Sequence, residues 1–301
     1  MDITVAPANL DKHILVKLVE GLIVPPGLFS VAQIWRNRVL SFLHKLYHYR
    51  NVIWAMAVRD LAARYVGSLG GVIWAVVHPL ALVIIYWFVF SLGFKAKGPA
   101  GMPFVLYFVS GLVPWLLFSE VLGSSIHAVE SNASLLKKTV FPAEMLPIIH
   151  LISASFAHLV LIAVLCVLVW NYGYGPSLTV IQVLYYYIAL SCFALGLSWF
   201  FSSLQVFHRD VGQGMNVVLN LWFWLSPIVW SPQMIPGRIM RILEYNPIYY
   251  LVEGYRVSFT KHEFFWSDWH SALRFWVVTG PVLLIGAYVF RRLKPNFADV
   301  L

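Results

Sequence analysis

The chain has 301 residues, of which 60% are hydrophobic and only 11% are charged. Soluble domains carry about a quarter charged residues, so this composition excludes an ordinary water-soluble protein and indicates one that is solvated by lipid. The net charge of +8 does not indicate a nucleic-acid partner, because the basic residues lie between apolar stretches, where they set orientation in a membrane.

A helical pattern precedes the first long apolar stretch, at residues 50–66. Its apolar residues, Trp54 among them, recur at helical spacing, but Arg59, Asp60 and Arg64 make it too polar to cross a bilayer. Asp60 and Arg64 form an i,i+4 pair. The pattern predicts an amphipathic helix that lies in the cytoplasmic interface. Residues 1–49 are expected to form a cytoplasmic segment to which the sequence assigns no role.

Six apolar segments of roughly the length needed to cross a bilayer follow in chain order, which predicts an all-α polytopic membrane protein. The predicted spans are residues 72–94, 104–126, 145–170, 178–204, 214–230 and 273–290. Lysine and arginine are concentrated before the first span and after the last one. Because cytoplasmic loops carry an excess of these residues, both termini are expected in the cytoplasm.

The segment 231–271, between the fifth and sixth predicted spans, is too apolar for a free loop and too broken by proline for a span. Irregular backbone at membrane depth is tolerated only beside protein or a water-filled cavity. We therefore predict short re-entrant helices that form a gate at the outer end of a pathway. The residues assigned to this gate are Pro232, Pro236, Pro247, Tyr249 and Tyr250.

Several stretches resemble, in order and at the expected spacing, type-2 ABC transporter permeases that export lipid-linked polysaccharides. They are RDLAARYVGSLGGVIWAVVHP (59–79), NASLLKKTVFPAEMLP (132–147), HRDV (208–211), SPIVWSPQMIP (226–236), NPIYYLVEGYR (246–256) and FRRLKPNFADVL (290–301). The resemblance runs from about residue 50 to the last residue and makes 50–301 the transmembrane domain. It implies six spans, a homodimer and two cytoplasmic ATPase subunits, one docked on each protomer.

The resemblance also predicts which partner binds the nucleotide. The sequence contains no GxxxxGK(S/T) phosphate loop, so ATP and Mg are expected on the ATPase subunit, and no cofactor is expected in this chain. The ATPase is expected to contact the loop between the second and third spans, where a short helix would insert apolar residues into a cleft and present lysines to its acidic rim. The coupling residues are Leu135, Leu136, Lys137, Lys138, Phe141, Pro142 and Glu144.

Two alternatives remain for these cytoplasmic elements. The lysine-containing loop can be an ordinary basic loop that only sets membrane topology. The 50–66 helix is a second candidate for contact with the ATPase, and it can equally be a lipid anchor.

Aromatic residues make up 16% of the chain and are abundant in the first and fifth predicted spans. Sugar rings have apolar C–H faces that stack on aromatic rings, so these residues suit a channel for a polysaccharide; an interfacial aromatic belt is the alternative. Trp87, Phe90 and Phe94 are expected on one helical face, with Tyr86 beside it. The predicted channel-lining residues are Tyr86, Trp87, Phe90, Phe94, Trp222, Phe223, Trp224 and Trp230.

Polar residues inside the predicted spans are few. Glu120 is an intramembrane acid and hence a candidate functional group, although it lies near enough to the inner end to pair with Arg59 or Arg64. His150 and His158 are expected to be buried, neutral and hydrogen-bonded. No catalytic residue and no metal site is expected, since no nucleophile–base set and no metal-ligand spacing occurs in the sequence.

The sequence therefore predicts the permease subunit of an exporter of lipid-linked polysaccharide, most simply O-antigen, in the bacterial inner membrane. A type-2 permease for capsule, teichoic acid or a small lipid or drug is the alternative within transport. The alternative from another class is a membrane-embedded glycosyl- or acyltransferase, which needs paired carboxylates or a His–Asp set at the membrane surface. The scattered Glu120, Glu130 and Glu144 do not provide such a set.

Overall fold

The computed structural model of the chain describes residues 40–63, 73–96, 98–139, 141–175, 177–261 and 263–301. The described residues fall into two units, 40–52 and Ile53–Leu301, each of which is treated by itself. In the first unit, residues 40–48 are helical. There the Arg50 guanidinium lies 4.2 Å from the centre of the Tyr47 ring. The expectations for residues 1–39 and for Arg64 lie outside the described residues.

Helices make up the regular structure of these ranges, and no β-strand occurs within them, as the apolar sequence predicts. The α-helices are α1 (Arg50–Ala63), α2 (Trp74–Trp87), α3 (Phe104–Ile126), α4 (Ala128–Ser131), α5 (Ala133–Lys138), α6 (Leu146–Asn171), α7 (Val183–Gln205), α8 (Asp210–Leu225), α9 (Gly237–Leu243), α10 (Pro247–Arg256), α11 (Trp269–Leu293) and α12 (Phe297–Val300).

Four helical segments are long and apolar enough to cross a membrane, and they confirm the second, third, fourth and sixth predicted spans. They are Phe104–Ile126, Ala143–Asn171, Leu178–Gln205 and Phe265–Asn296. The first predicted span corresponds to a shorter apolar helix, Val77–Gly93. Its last six residues, Phe88–Gly93, are a π-helix.

The fifth predicted span corresponds to α8, which has 16 residues and is shorter than a full span. It ends at Leu225 because Pro227 follows: the residue before a proline is pushed out of the helical region. Ser226 accordingly has extended backbone, with φ −99° and ψ 143°. The count of six spans and the depth of the outer segment in the membrane stay predictions.

The centre of the bundle is α3, which packs against α2, α6, α7, α8 and α10. A helix that is apolar on every side is stable only when neighbours surround it. Aromatic rings make several of its contacts: the Phe118 ring lies 5.6 Å from Phe193 and 5.3 Å from Trp222, and Trp115 lies 5.6 Å from Phe223. Every other long helix is thus positioned relative to α3 or to its direct neighbours.

The outer segment consists of short helices whose starting points are set by proline. Pro232 opens the turn Pro232–Met234, Pro236 precedes α9 and Pro247 is the first residue of α10. Proline is favoured there because its missing N–H is unpaired at a helix start anyway, and its φ is already helical.

The helix α1 contacts α6 within the second unit. Ala57 is buried, the Trp54 ring lies 5.6 Å from Phe156, and an Asp60 carboxylate oxygen lies 3.4 Å from Nδ1 of His150. Trp54 is nevertheless 56% exposed, so α1 has apolar surface outside this contact as well. Its place in the membrane interface stays a prediction.

A contact between two glycines sets how closely α7 and α11 approach. A Cβ atom added to Gly286 would lie 1.9 Å from the carbonyl oxygen of Gly196, and one added to Gly196 would lie 2.8 Å from the Cα of Leu283. Small residues allow helix backbones to meet directly in this way, which increases van der Waals contact inside a membrane. The α7–α11 pair therefore depends on the absence of side chains at this crossing.

We expect Gly286→Val to prevent the close packing of α7 on α11, because overpacking against backbone costs about 1–3 kcal/mol or more. Gly280→Val, on the same helix, is the matched control, since a Cβ at Gly280 meets no atom within 4 Å. The measurement is the thermal midpoint and the folded yield in detergent. Equal losses in the two variants would contradict the assigned crossing.

Candidate functional site

The two ends of the bundle are called outer and inner after the predicted orientation. The outer end is organised around Arg256, which is the last residue of α10 and is only 2% exposed. Its Nε donates to the carbonyl of Tyr107 at 3.1 Å, and its Nη2 donates to the carbonyls of Ile228, at 3.1 Å, and Pro227. Its Nη1 pairs with Glu253. A buried guanidinium is tolerated only with such partners, so this residue ties α3, α10 and the chain after α8 together.

Residues of α3 are shaped to receive this guanidinium. The carbon atom Cζ of Arg256 lies 3.6 Å from the centre of the Tyr107 ring, a cation–π contact. A Cβ on Gly111 would lie 2.6 Å from the Nη2 atom of Arg256, so glycine leaves the space that the charge occupies. The Tyr107 hydroxyl also donates to the carbonyl of Trp230 at 2.8 Å. Sequence reasoning missed Arg256, although it closes the NPIYYLVEGYR stretch.

Asn246 joins two other stretches at the same end. Its Oδ1 accepts from the indole nitrogen of Trp222 at 2.8 Å and from the backbone N–H of Ile248 at 3.0 Å, and its Nδ2 donates to the Ser226 hydroxyl at 3.2 Å. The residues before Pro227 and before Pro247 are thus hydrogen-bonded to each other. The stretches 226–236 and 246–256, which are separate in the sequence, are therefore in contact in the structure.

The opposite, inner end contains the predicted coupling residues. Lys137 and Lys138, at the end of α5, are exposed, whereas Leu135 and Leu136 are half-buried. The C-terminal helix α12 packs against α5. The exposed lysines are therefore presented on a helix that the last residues of the chain support.

The other three predicted coupling residues are engaged within the chain to different degrees. Pro142 is buried and Phe141 is half-buried. Glu144 accepts from the ammonium of Lys294, and its backbone carbonyl accepts from the indole nitrogen of Trp199 at 3.0 Å. Glu144 thus links the start of α6 to the end of α11, which is a structural role that the sequence did not indicate.

A second cluster at the inner end surrounds Gln205, the buried last residue of α7. Its Nε2 donates to a carboxylate oxygen of Glu130 at 3.2 Å and to the carbonyl of Arg209 at 3.2 Å, while its Oε1 accepts from the N–H of Gly212 at 2.7 Å. A Cβ on Gly212 would lie 2.7 Å from the His127 ring. The turns after α3 and after α7 therefore contact the start of α8.

The aromatic residues of the first predicted span stack in a different combination from the expected one. The rings of Tyr86 and Phe90 lie 6.1 Å apart, and those of Phe90 and Phe94 lie 5.6 Å apart. Residues four apart lie on one face of a helix, so Tyr86, Phe90 and Phe94 form one row. Two rings of α3 complete this ladder: Tyr86 stacks on Phe108 at 4.7 Å, and Phe90 stacks on Phe104 at 5.0 Å.

The predicted aromatics of the fifth span separate into two groups. Trp222 is half-buried, and its ring packs edge-on against Phe118. Phe223 and Trp224 line a cavity of about 490 Å³ between α2, α3 and α8. Trp230 donates from its indole nitrogen to the carbonyl of Trp224 at 2.9 Å.

The cavity between α2, α3 and α8 combines aromatic and amide surfaces. Its polar lining comes from Asn216, Asn220 and Ser119, and Tyr86 and Trp115 add rings to those already named. Amides and hydroxyls both donate and accept hydrogen bonds, and none of these groups is charged. The arrangement suits an uncharged, hydroxyl-rich molecule that slides past without being held at one place.

Two of the three polar residues predicted inside spans lie at the same cavity. Glu120 and His158 both line a second cavity, of about 640 Å³. Nε2 of His158 lies 3.0 Å from the hydroxyl of Tyr255, which meets the expectation of a buried, hydrogen-bonded histidine. His150 faces Asp60, as described above. Because Arg64 lies outside the described residues, the pairing of Glu120 stays a prediction.

Within the described residues, no group of three or more His, Cys, Asp or Glu side chains is placed to hold a metal ion. The apolar helices, the buried polar connections and the exposed basic helix α5 together define a multi-pass membrane protein with separate outer and inner sites.

Comparison with known proteins identifies the family of membrane proteins to which the chain belongs. The family described as ABC-2 type transporter matches residues 51–260, so the chain belongs to the ABC-2 type transporter family. Its members are permease subunits that work with an ATPase, and the chain is a transporter subunit rather than an enzyme.

Curated relatives cover most of the chain. It is 31% identical to the O-antigen export system permease protein RfbA of Klebsiella pneumoniae over 245 residues, which are 81% of this chain and 92% of the relative. It is 26% identical to the protein of the same name from Myxococcus xanthus over 263 residues, 87% of this chain and 99% of the relative. It is 22% identical to the polysialic acid transport protein KpsM of Escherichia coli over 201 residues, 66% of this chain and 77% of the relative.

We expect Arg256→Met to destabilise the protein by about 3–5 kcal/mol, because it leaves buried carbonyls and the Glu253 carboxylate without their partner. Arg241→Met, at an exposed arginine of α9, is the matched control and is expected to change stability by less than about 0.5 kcal/mol. The measurement is the unfolding free energy in mixed micelles. A methionine variant as stable as the control would show that the guanidinium is dispensable.

Proposed function

We propose that this chain is the permease of an exporter that moves lipid-linked polysaccharide, O-antigen in the first place, across the bacterial inner membrane. Two copies of the chain form the pathway, and two copies of a separate ATPase supply the work. The observation that carries the proposal is the similarity to O-antigen export permeases, at 26–31% identity over more than four-fifths of the chain.

Contacts along α3 support six spans. At the outer end the Tyr107 hydroxyl reaches the carbonyl of Trp230, and at the inner end the His127 ring lies against Gly212. The segment from Gly212 to Trp230 therefore runs beside the whole of α3, about 30 Å at 1.5 Å per residue, which is the thickness of the hydrocarbon core. The segment Trp74–Gly93 has 20 residues of helix for the first span.

The pathway proposed for the polymer lies between two protomers, along the faces of α2 and α8. Apolar side chains on these faces are exposed: Phe94 is 72% exposed and Trp224 is 58% exposed. Such a surface needs either lipid or a second copy to cover it. Beside it lies the cavity with Asn216 and Asn220, whose amides offer hydrogen bonds to sugar hydroxyls while the neighbouring rings offer faces for C–H contacts.

The ATPase contact is proposed on α5. Lys137 and Lys138 are exposed there, and complementary acidic residues on a partner would steer and orient its docking. The helix α1 is a second contact, beside the same membrane surface. In this proposal the N- and C-termini lie in the cytoplasm, and the outer segment with Pro232, Pro236 and Pro247 forms the gate on the far side.

Capsular polysaccharide is the second candidate substrate, and the similarity to the polysialic acid transport protein KpsM favours it. A small lipid or a drug is less well supported, because the aromatic and amide cavity suits hydroxyl-rich molecules. The transferase alternative lacks support from the geometry: Glu130 binds Gln205 and Glu144 binds Lys294, so these acids do not form a paired set.

Reconstitution tests the function directly. Vesicles that contain the permease and its ATPase are expected to transfer lipid-linked O-antigen only when ATP is present. Transfer by the permease alone without nucleotide, or no transfer of any lipid-linked polysaccharide by the pair, would overturn the proposal.

We expect the double variant Lys137→Glu and Lys138→Glu to reduce export and co-purification of the ATPase by roughly tenfold or more, because like charges then face each other at the rim. The reversal of Arg238 and Arg241 to Glu, at exposed positions of α9, is the control and is expected to leave co-purification unchanged. Cell-surface polysaccharide and ATPase recovery are measured together. An unaffected lysine variant would remove α5 from the docking surface.

Cysteine labelling checks the orientation. In a background with Cys166 and Cys192 replaced by alanine, Gln233→Cys is expected to react with a membrane-impermeant maleimide on intact spheroplasts. Ser134→Cys, on α5, is expected to react only after lysis. Both positions are exposed in the structure, so a reversed pattern would report the opposite orientation rather than burial.

A further inference from the structure

A cavity of about 280 Å³ lies in the outer segment, between α10, the start of α11 and the chain that joins them. It is separate from the cavity between α2, α3 and α8. The joining chain is held in place by Gln182 at the start of α7, which donates to the carbonyl of Glu263 at 2.7 Å and accepts from the N–H of Phe265 at 2.7 Å. The cavity therefore belongs to an ordered part of the outer segment.

One wall of this cavity is a chain of hydrogen-bonded polar groups. Glu244 pairs with Nη1 of Arg274 at 2.6 Å, Nη2 of Arg274 donates to the Ser271 hydroxyl at 2.7 Å, and that hydroxyl donates to Asp268. Each member is fixed by the next one, so the wall presents groups whose orientation is set before any ligand arrives. The buried Nε of Arg274 has no hydrogen-bond partner among the described residues, which leaves one donor in the wall unused.

The facing wall is aromatic. Tyr249 and Tyr250 lie on α10. The ring of Tyr186 packs directly against Gly254 of the same helix, where a Cβ atom would lie 2.1 Å from it. The Tyr250 hydroxyl lies 3.2 Å from that of Tyr185. Burial raises the pKa of Tyr249 to about 12, so its phenol stays neutral and keeps its proton for donation at physiological pH.

Charge decides between ligand classes. Four carboxylates (Glu244, Glu253, Glu263 and Asp268) and two basic groups (Lys261 and Arg274) line the cavity, and Arg256 pairs with Glu253 from outside the lining. Acidic groups still outnumber basic ones, so the field disfavours a phosphate or any other anion. The absence of a metal-binding group among the described residues leaves a divalent cation without a ligand set. The planar carboxylates and the guanidinium can form hydrogen bonds with neighbouring hydroxyls on one face of a ligand, and the aromatic rings can contact C–H groups on its other face.

We propose that this tyrosine–carboxylate cavity binds one uncharged sugar residue on the outer side of the membrane. The inference rests on the proposed export function, which puts a glycan at this face of the protein. The volume lies near the lower limit of small-molecule sites, about 300 Å³, so it accommodates a single residue and not a folded stretch of polymer. The site takes the sugar part of the substrate, and the acidic lining disfavours any phosphate-bearing part.

The test is saturation-transfer NMR on the full-length permease, purified with its ATPase in lipid nanodiscs. The probes are the methyl glycosides of glucose, galactose, mannose and N-acetylglucosamine, with glucose 6-phosphate as the anionic comparison. We expect transfer from at least one neutral glycoside and none from the phosphate. Tyr249→Ala is expected to weaken that binding by about tenfold, the equivalent of one lost ring contact.

Tyr245→Ala is the matched control, because Tyr245 lies in the same segment, is exposed and does not line the cavity. Asp268→Asn is the second variant: asparagine still caps the start of α11, so a loss of binding in this variant reports the carboxylate rather than misfolding. Tyr249→Ala and Asp268→Asn are each expected to weaken glycoside binding, whereas Tyr245→Ala is expected to leave it unchanged.

Three results would contradict the proposed sugar site. They are no transfer from any neutral glycoside, unchanged transfer in Tyr249→Ala, and stronger binding of glucose 6-phosphate than of the neutral sugars. Export in the reconstituted vesicles is measured on the same preparations. Export without glycoside binding removes the sugar site alone, whereas loss of export by the wild-type pair removes the proposed function.

Discussion

One buried guanidinium determines how the outer half of this protein is built. A charge of this kind costs several kcal/mol to remove from water unless every donor finds an acceptor. Arg256 meets that condition only if the carbonyls of Tyr107, Pro227 and Ile228 converge on it. The position of α10 and the glycine at position 111 follow from this requirement, and the break that Pro227 causes after α8 leaves two of these carbonyls free of helical hydrogen bonds. The outer segment is fixed by it, even though the segment is interrupted by prolines and has no long helix of its own.

The inner end is held by contacts of a different kind. Gln205 connects α4, the turn before α8 and the start of α8 through neutral and carboxylate hydrogen bonds, and the pair of Glu144 and Lys294 is partly open to solvent. Exposed ion pairs contribute little to stability, typically about 0–1 kcal/mol, and rearrange at little cost. The end that is proposed to receive the ATPase is thus the end whose connections are the easier to change. The outer end, by contrast, resists rearrangement because breaking it would expose an unpaired buried charge.

Much of the fold could be predicted from hydropathy, because a membrane span appears in the sequence as an uninterrupted apolar run. The helix Phe104–Ile126 has the predicted limits, the third and fourth spans lie within two residues of theirs, and the sixth, Phe265–Asn296, extends beyond the predicted 273–290 at both ends. The first and fifth spans deviated for local reasons: a π-helix after Trp87 and the proline at position 227. The site was less predictable. Arg256 looked like one more basic residue of the segment 231–271, and Gly111 gave no signal, since only the folded structure shows what fills the space beside it. Of the aromatics predicted to line a channel, Tyr86 faces the cavity between α2, α3 and α8, whereas the half-buried Trp222 packs against Phe118; their role as a channel surface stays a prediction.

The meeting of Gly196 and Gly286 has a consequence for permeability. At that crossing the two helices have no layer of side chains between them, so neither an acyl tail nor a water molecule fits. At this point the flank formed by α7 and α11 is closed by main-chain atoms alone, so separating the two helices there would break backbone contact directly. The proposed pathway along the exposed aromatic faces of α2 and α8 leaves this crossing intact.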